Sequence, residues 1–259
     1  MIDTHAHLDF GQFDEDRKSV TKRFFDDGGK AILNVGVDKK RNKKTLEIAE
    51  EDDRIFVSLG FHPEGDNFDL EEVEKYLKEK SENPKVKAIG EIGLDYFHSK
   101  DPKDRDFQKE LFVKQLEIAK KIGLPVVIHC RDAYGDLLEI ISDEKFREMK
   151  MVIHCFSAGL KRTKQFLKFP NLKFSFTGNI TFVKDEDELL KVVDLIPLER
   201  MMVETDCPFL APVPHRGKRN EPAFVRFIIE KIAEVKGLSY EEVERQTDKN
   251  AIRFFNLKI

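Results

Sequence analysis

Short apolar runs alternate with longer segments of helical spacing along the whole chain. The runs have the length and bounding residues of buried strands, and the segments between them have the spacing of amphipathic helices. The first predicted strand begins at Ile2, and the others occupy residues 31–37, 55–60, 86–92, 125–129, 151–155, 172–176 and 201–205. The predicted helices are residues 14–27, a segment that opens at Lys39, and residues 70–81, 103–122, 131–146, 160–168, 186–195, 223–236 and 240–255.

Eight predicted strands separated by predicted helices are typical of a (β/α)8 TIM barrel. The length of 259 residues matches such a barrel, although two domains of roughly 130 residues would also fit it. No Gly-, Ser- or Pro-rich tract separates two halves. We therefore predict a single α/β barrel domain over residues 1–259, with an extra C-terminal helix.

Composition favours the reducing cytoplasm. Met1 leads directly into the first predicted strand, and no apolar run approaches the roughly 20 residues that span a membrane. The three cysteines, Cys130, Cys155 and Cys207, do not suggest a disulfide framework. Because side chains alternate along a strand, Cys130 and Cys155 are predicted to be small buried side chains that point away from the side on which His129 and His154 lie. We expect a soluble cytoplasmic protein, and no segment indicates an obligate protein partner.

The charge balance limits the kind of nucleic acid that the chain could bind. The formal net charge is −4, which argues against a broad basic face for long duplex DNA. A basic run that begins at Lys39 is followed at once by acidic residues, which indicates a solvated helix with internal ion pairs. A nuclease with a small metal-lined pocket for a strand end is still compatible with this charge.

Possible metal ligands recur where predicted strands end. His5 and His7 are two residues apart, so in a strand they face the same side and can bind one ion. By itself this pair fits two half-buried histidines satisfied by their neighbours better than a metal site. Four later strands carry a further donor at or near their C-terminal ends, namely Glu91, His129, His154 and Asp206. Because the carboxyl ends of barrel strands meet at one rim, the sequence predicts that all six donors form one metal centre.

Six donors are more than one catalytic ion needs. A zinc ion takes about three protein ligands plus water, so we predict two divalent ions roughly 3.5–4 Å apart. Glu91, on the fourth strand, is the predicted bridge between them. Histidine-rich donors suit Zn, Mn, Co or Ni, whereas Mg prefers oxygen, so the sequence leaves the identity of the metal open.

Six motifs accompany these donors along the chain. They are Asp3-Thr4-His5-Ala6-His7-Leu8-Asp9, Gly60-Phe61-His62-Pro63, Gly90-Glu91-Ile92-Gly93-Leu94-Asp95-Tyr96, Ile128-His129-Cys130-Arg131-Asp132-Ala133, His154-Cys155-Phe156-Ser157, and Glu204-Thr205-Asp206-Cys207-Pro208 with Arg216-Gly217-Lys218-Arg219-Asn220-Glu221-Pro222. In this order they resemble the TatD-type metal-dependent hydrolases and deoxyribonucleases of the amidohydrolase superfamily, over nearly the whole chain. The resemblance implies an amidohydrolase-like barrel, the same six metal ligands and hydrolysis of phosphodiester bonds.

Two further residues are candidates for binding the substrate at the rim. His62 follows the third predicted strand and could donate to a phosphate, or it is a turn histidine bonded to nearby backbone. Arg131 directly follows His129 and could hold a phosphate through two N–H groups. Its alternative is a surface salt bridge with Asp132 or Glu139.

The segments after the fourth and eighth strands add further candidates. Lys218 and Arg219 belong to a basic loop after a ligand-bearing strand and are the preferred contacts to backbone phosphates, with a solvated loop as the alternative. Glu204 shares a strand face with Asp206, so we predict that it orients a ligand histidine or water, unless it forms a buried ion pair. Asp95 and His98 either line the pocket or lie at the surface.

These residues predict a metal-dependent hydrolase, most simply a deoxyribonuclease. Asp206, Glu91 and His62 form the predicted catalytic set, in which Asp206 accepts a proton from metal-activated water and His62 stabilises phosphoryl oxygens. The expected substrate is single-stranded DNA or a frayed 3′ end, because so deep a pocket excludes the scissile phosphate of an intact duplex. The alternatives are hydrolysis of a carbon ester, lactone, amide or aminoacyl-tRNA ester, and a non-catalytic metal-binding module.

Overall fold

The computed structural model describes residues 1–65 and 68–259. Within these ranges, eight strands form one parallel sheet whose order follows the chain. The strands are β1 (Ile2–Ala6), β2 (Ala31–Val35), β3 (Ile55–Leu59), β4 (Val86–Asp95), β5 (Val126–Arg131), β6 (Met151–Ile153), β7 (Leu172–Phe176) and β8 (Met201–Val203). The helices are α1 (Arg17–Asp26), α2 (Lys39–Glu50), α3 (Leu70–Lys80), α4 (Pro102–Ile122), α5 (Tyr134–Ile141), α6 (Leu160–Phe166), α7 (Glu188–Leu195), α8 (Val225–Lys236) and α9 (Tyr240–Phe255).

The end of the sheet returns to its beginning. Ala6 forms a parallel bridge with Cys207. The N–H of His7 donates to the carbonyl of Cys207, and the N–H of Asp206 donates to the carbonyl of His5, both at 2.8 Å. These bonds nearly close the sheet into a barrel and bring the chain after β1 beside the chain after β8. The predicted (β/α)8 barrel is confirmed.

The last helix seals the end of the barrel at which the strands begin. Side chains of alternate strand residues, including Leu33, Ala88 and Val127, share a buried cluster with Phe254 and Phe255 of α9. The amino group of Met1 lies 3.3 Å from Asp248 of the same helix. With that end filled by apolar side chains, the opposite end is free to hold polar groups. In the described ranges, no helix has the length and apolarity to cross a membrane.

Several elements differ from their predicted bounds at the rim. β4 continues past residue 92 to Asp95, after a register shift against β5 between Ile89 and Ile92. β8 ends at Val203, and Asp206 has a φ of 56°, which a strand cannot contain. β5 likewise runs on to Arg131, and the positive φ of Asp132 delays the start of α5. The differences arise where the chain leaves the regular barrel.

Gly93 allows β4 to lie against β5 beside the donors. Its φ is 149°, and a Cβ atom built on it would be only 1.9 Å from the carbonyl oxygen of His129. Any side chain at position 93 would therefore displace the backbone of His129.

Two buried glutamines of α4 hold the rim segments that follow β3 and end β4. Gln115 donates to the carbonyl of Phe61 at 3.0 Å and accepts from its N–H at 2.9 Å. Gln108 pairs with Asp95 in the same way, at 3.1 and 2.9 Å. These backbone groups are buried, so the amide side chains replace the partners that a strand would have supplied.

Replacing Gln115 with Met keeps the length of the side chain and removes both hydrogen bonds to Phe61. We expect the free energy of unfolding in urea to fall by about 1–3 kcal/mol for each buried backbone group left unpaired. Gln12 is exposed, so Gln12→Met is the matched control and should change stability by less than about 0.5 kcal/mol. Equal unfolding midpoints for Gln115→Met and the unsubstituted protein would contradict this role.

Candidate metal centre

Histidines and carboxylates converge where the strands end. The side chains of His5, Glu91 and His154 offer ligand atoms within 4.8 Å of one another, and those of His5, His7 and Asp206 do the same. His129 joins the first group, because its Nδ1 lies 3.2 Å from Nε2 of His154. The structure thus brings together all six residues that the sequence nominates as ligands.

Glu91 lies at the centre and divides its two oxygens between two groups of histidines. Its Oε1 is 2.9 Å from Nδ1 of His129 and 2.8 Å from Nε2 of His154. Its Oε2 is 3.3 Å from Nε2 of His5 and 3.6 Å from Nε2 of His7. Each oxygen therefore faces a separate set of ring nitrogens.

Asp206 completes the group on the Oε2 side. Its Oδ1 lies 3.4 Å from Nε2 of His7 and 3.8 Å from Nε2 of His5. The left-handed backbone of Asp206 is held by its N–H bond to the carbonyl of His5. Both carboxylates line the cavity, and the side chain of Asp206 is the more exposed of the two, at 13% against 4% for Glu91.

The electrostatics of the cluster depend on opposite charges in a buried place. Burial alone would raise the pKa of the Glu91 carboxyl, but the charges of His154, His62 and His5 outweigh it and hold that pKa well below its usual value. Burial likewise opposes protonation of His154, yet Glu91 and Glu204 raise its pKa well above the usual histidine value. Glu91 is therefore an anion that needs positive charge around it.

Glu204 lies behind the cluster. Its Oε1 accepts from the N–H of Cys155 at 2.7 Å and lies 3.3 Å from Nδ1 of His154. Glu204 therefore lies beside a nominated ligand histidine, and its orienting role stays a prediction. Cys155 itself differs from the prediction, because its φ of 44° breaks the alternation of a strand, and the residue is half-buried at the cavity wall.

Asp95 is the residue whose place sequence analysis left open. It is fully buried at the end of β4, and its Oδ2 lies 3.0 Å from Nε2 of His129. Its Oδ1 accepts from the N–H of His98 at 2.8 Å. Burial opposes ionisation, but hydrogen bonds from His129 and His98 hold the pKa of Asp95 below its usual value. The spacing of the two carboxylates could have indicated this position. Asp95 is four residues after Glu91, so both side chains lie on the same face if the strand continues.

His62 is a turn histidine bonded to nearby backbone, and it also lines the cavity. Its Nδ1 accepts from the N–H of Glu64 at 3.2 Å, as in a turn. Its Nε2 is 3.5 Å from Oε1 of Glu91, and its ring packs edge-on against His129 with 4.4 Å between centroids. Burial is the first cause that lowers the pKa of His62, and the charge of His129 adds to it.

Of the three cationic residues predicted to bind phosphate, only Arg131 lies among the described residues that line the cavity. Arg131 lines the cavity, and its guanidinium lies 3.9 Å from the centroid of the Phe97 ring. Within the described ranges, no salt bridge joins it to Asp132 or Glu139. It therefore presents its charge at the mouth of the site.

The loop after β8 does not present Arg219 as expected. Its guanidinium donates to both oxygens of Asp16, at 2.8 and 2.6 Å, and packs over the ring of Phe13. Among the described residues that surround the cavity, neither Lys218 nor Arg219 is present. The loop folds against the segment before α1, so the charge of Arg219 is already neutralised by an internal partner.

The centre opens into a cavity of about 750 Å³, within the size range of pockets that hold small ligands. Three of the four nominated ligand histidines and both carboxylates line it, whereas His5 is fully buried behind them. The aromatic side chains of Phe10 and Phe209 stand at its edge. The cavity is thus polar at its base and partly apolar at its mouth.

A parallel barrel with histidines and carboxylates at the C-terminal rim is an architecture of metal-dependent hydrolases. Residues 2–256 match the sequence model of a family described as "TatD related DNase". The chain belongs to the TatD family of metal-dependent hydrolases. The donors fit this assignment, because imidazole nitrogen and carboxylate oxygen are the ligands that Zn, Mn, Co and Ni accept.

Named relatives extend over the whole chain. It is 41% identical over 258 residues to "Uncharacterized metal-dependent hydrolase YabD" of Bacillus subtilis, covering 99% of each chain. It is 32% identical over 262 residues to "3'-5' ssDNA/RNA exonuclease TatD" of Erwinia tasmaniensis, covering 99% of this chain and 100% of that protein. The crystal structure of YJJV, a TatD homologue from Escherichia coli, superposes with a TM-score of 0.89 at 27% identity, covering 100% of this chain and 98% of the other.

Asp95→Asn tests whether Asp95 orients His129. An amide can donate to Nε2 of His129, which would leave the ring proton on Nδ1, the nitrogen that faces Glu91. We expect the affinity for a divalent metal to fall about 10- to 100-fold, as measured by competition with a chelating dye.

The matched control is Asp136→Asn, because Asp136 accepts from the hydroxyl of Tyr96 outside the cluster. It should leave metal affinity unchanged. Unaltered metal affinity in Asp95→Asn would mean that Asp95 only caps the backbone of His98.

Proposed function

We propose that the protein is a two-metal phosphodiesterase that cleaves single-stranded DNA or frayed DNA ends. The observation that carries the proposal is the division of Glu91, whose two oxygens face two separate groups of ligands. His5, His7, Asp206 and Glu91 would hold one ion, and His129, His154 and Glu91 would hold the other. A carboxylate between two cations reduces their mutual repulsion.

Bound divalent ions would lower the pKa of water from about 15.7 toward 7 and neutralise the charge of a phosphate. The protein must then accept the proton that this water loses. Asp206 is suited to this role because its side chain reaches the cavity. Burial opposes its ionisation, but the hydrogen bond from His7 and the charges of His154 and His5 hold its pKa below the usual value, so it is ionised at neutral pH.

His62 and Arg131 are suited to the charge that grows on the phosphoryl oxygens. Because Nδ1 of His62 accepts a hydrogen bond from the backbone of Glu64, a neutral ring carries its proton on Nε2, the nitrogen that faces the cavity. Arg131 adds a permanent positive charge at the mouth. Donors placed where negative charge develops are the usual source of electrostatic catalysis.

Relatives and the shape of the rim both support single-stranded DNA as the substrate. A relative with 32% identity carries the name of an exonuclease of single-stranded DNA and RNA, and the family model carries the name of a DNase. The scissile phosphate must reach donors that are buried at the base of the cavity, which the paired strands of an intact duplex would obstruct. The net charge of −4 also fits a substrate held through a few phosphates at one end.

The deciding assay offers two kinds of bond to the metal-loaded enzyme. One series contains end-labelled oligonucleotides that are single-stranded, blunt or nicked, and the other contains lactones, amides and aminoacyl esters. We expect turnover of single strands and frayed ends. Turnover of the carbon-centred series without cleavage of any oligonucleotide would replace the nuclease with a carbon-centred hydrolase, and inertness toward both would favour a metal-binding module.

The number of ions is a separate prediction. Metal-saturated protein should contain two divalent ions per chain by elemental analysis, and anomalous diffraction should place both beside Glu91. Glu91→Gln removes the bridging charge and should reduce the count, whereas Glu186→Gln, in the loop before α7, should not. A single ion at this rim in the saturated protein would contradict the two-metal mechanism.

Asp206→Asn tests the proton acceptor. The amide keeps the size of the side chain and one oxygen but cannot take a proton, so kcat on a single strand should fall about 10²- to 10⁴-fold. Asp194→Asn, an exposed carboxylate on α7, is the matched control and should keep full turnover. Near-normal kcat in Asp206→Asn with metal bound would remove Asp206 from this role.

A further inference from the structure

Two exposed phenylalanines stand at the mouth of the barrel on opposite sides. Phe97 follows β4 and is 46% exposed, and Phe209 follows β8 and is 45% exposed. β4 and β8 are four strands apart in an eight-stranded order, so the segments that follow them face each other across the rim. Large apolar rings exposed in this way indicate a surface that a ligand covers.

The ring on the β4 side is paired with a cation. The guanidinium of Arg131 lies 3.9 Å from the centroid of the Phe97 ring. Arg131 is two residues after His129 on β5, so the pair is joined directly to the metal centre. We call Phe97 and Arg131 the β4 platform.

The β8 side also combines aromatic rings with an arginine. Phe10 and Phe209 pack edge to face with 5.5 Å between centroids, and the guanidinium of Arg41 lies 3.7 Å from the centroid of Phe10. The rings of Phe10 and Phe209 lie 5.1 and 6.3 Å from the ring of His7. We call Phe10, Phe209 and Arg41 the β8 platform.

An aromatic face beside a cation is the chemistry by which proteins bind single-stranded nucleic acid. Each base stacks on a ring, and the arginine attracts the phosphate next to it. A duplex keeps its bases stacked on one another, so it cannot use two such faces at once. A single strand with its reacting phosphate over the polar cavity would have one base directed to each of two such faces.

We propose that the β4 and β8 platforms are base-stacking subsites that flank the reacting phosphate, so that a single strand lies across the mouth with one base on each platform. This inference rests on the proposed phosphodiesterase activity and adds to it the two bases that the site recognises. It makes Phe97 and Phe209 determinants of specificity for stacked bases and against duplex. Arg131 carries the charge of the first platform, whereas the charge of Arg41 is shared with Asp9 at 3.2 Å.

The test combines enzyme variants with oligothymidylates that lack one base. Phe97→Ala and Phe209→Ala should each raise KM for a ten-nucleotide strand by about 5- to 150-fold, the usual effect of removing one stacking ring, with little change in kcat. Phe97→Trp and Phe209→Trp should restore KM. Leu238→Ala is the matched control, since Leu238 is 38% exposed and far along the chain from both platforms.

An abasic nucleotide on one side of the scissile phosphate identifies which base each platform holds. Phe97→Ala should be insensitive to loss of one base and Phe209→Ala to loss of the other, while the unsubstituted enzyme responds to both. Anisotropy of a labelled strand with metal-free protein gives the same comparison without turnover.

The outcomes separate the two proposals. If the unsubstituted enzyme cleaves oligonucleotides and neither alanine variant changes KM or anisotropy, the platforms are overturned and the phosphodiesterase stands. The same holds if both variants weaken the abasic and the intact strands equally. If no oligonucleotide is bound or cleaved while lactones, amides or aminoacyl esters are turned over, the proposed function fails and the platforms fail with it.

Discussion

The site depends on one buried carboxylate and on the positive charge that it requires. Glu91 is 3% exposed and has ring nitrogens of His5, His62, His129 and His154 within 3.5 Å of its oxygens. A carboxylate in that position is tolerated only because charge and hydrogen bonding offset the loss of water. The divalent cations of the proposed function would meet the same need more fully, because each carries two charges. The rest of the rim can be understood as the means of keeping these donors at fixed distances from Glu91.

The donors are held in place in two ways. Other groups contact the histidine nitrogens that point away from Glu91, and side chains of the surrounding helices bind the strand ends. Nδ1 of His7 lies 2.8 Å from the carbonyl of Val35, Nε2 of His129 lies 3.0 Å from Asp95, and Nδ1 of His154 lies 3.3 Å from Glu204. Such contacts fix which nitrogen points at the centre. One layer further out, Gln108 and Gln115 of α4 and Asn42 of α2 hold the backbone of Asp95, Phe61 and Gly60. Stability and function are therefore coupled, since losing an amide on a helix would free the strand end that carries a donor.

Much of this was accessible from the sequence, because it follows from periodicity. β7 and α9 have the bounds that their apolar spacing predicts, and the ligand-bearing strand ends follow from the barrel order. The predictions that differed concern residues outside regular dihedrals or long-range partners. Cys155 and Asp206 have φ values of 44° and 56°, which no alternation rule anticipates. Arg219 belongs to a basic loop, but its partner Asp16 is 203 residues away in sequence, so no local pattern indicates the pair. Asp95 lies three residues beyond the predicted end of β4 at residue 92, because the strand continues to Asp95 after its register shift between Ile89 and Ile92.

The metal ligands alone do not determine which bond such a centre cleaves. Histidine and carboxylate donors that activate water serve attack on carbon or on phosphorus alike. Selectivity must therefore come from groups that touch the rest of the substrate. Here those groups are one exposed arginine and aromatic rings on two sides of the mouth, a combination that a lactone or small amide is too small to cover. In the proposed function, a strand of nucleotides would reach both sides, and Arg131 would meet its charge locally although the chain as a whole carries −4. Under that proposal, the aromatic rings would favour a flexible polyanion with flat faces over the other substrates that the same centre could hydrolyse.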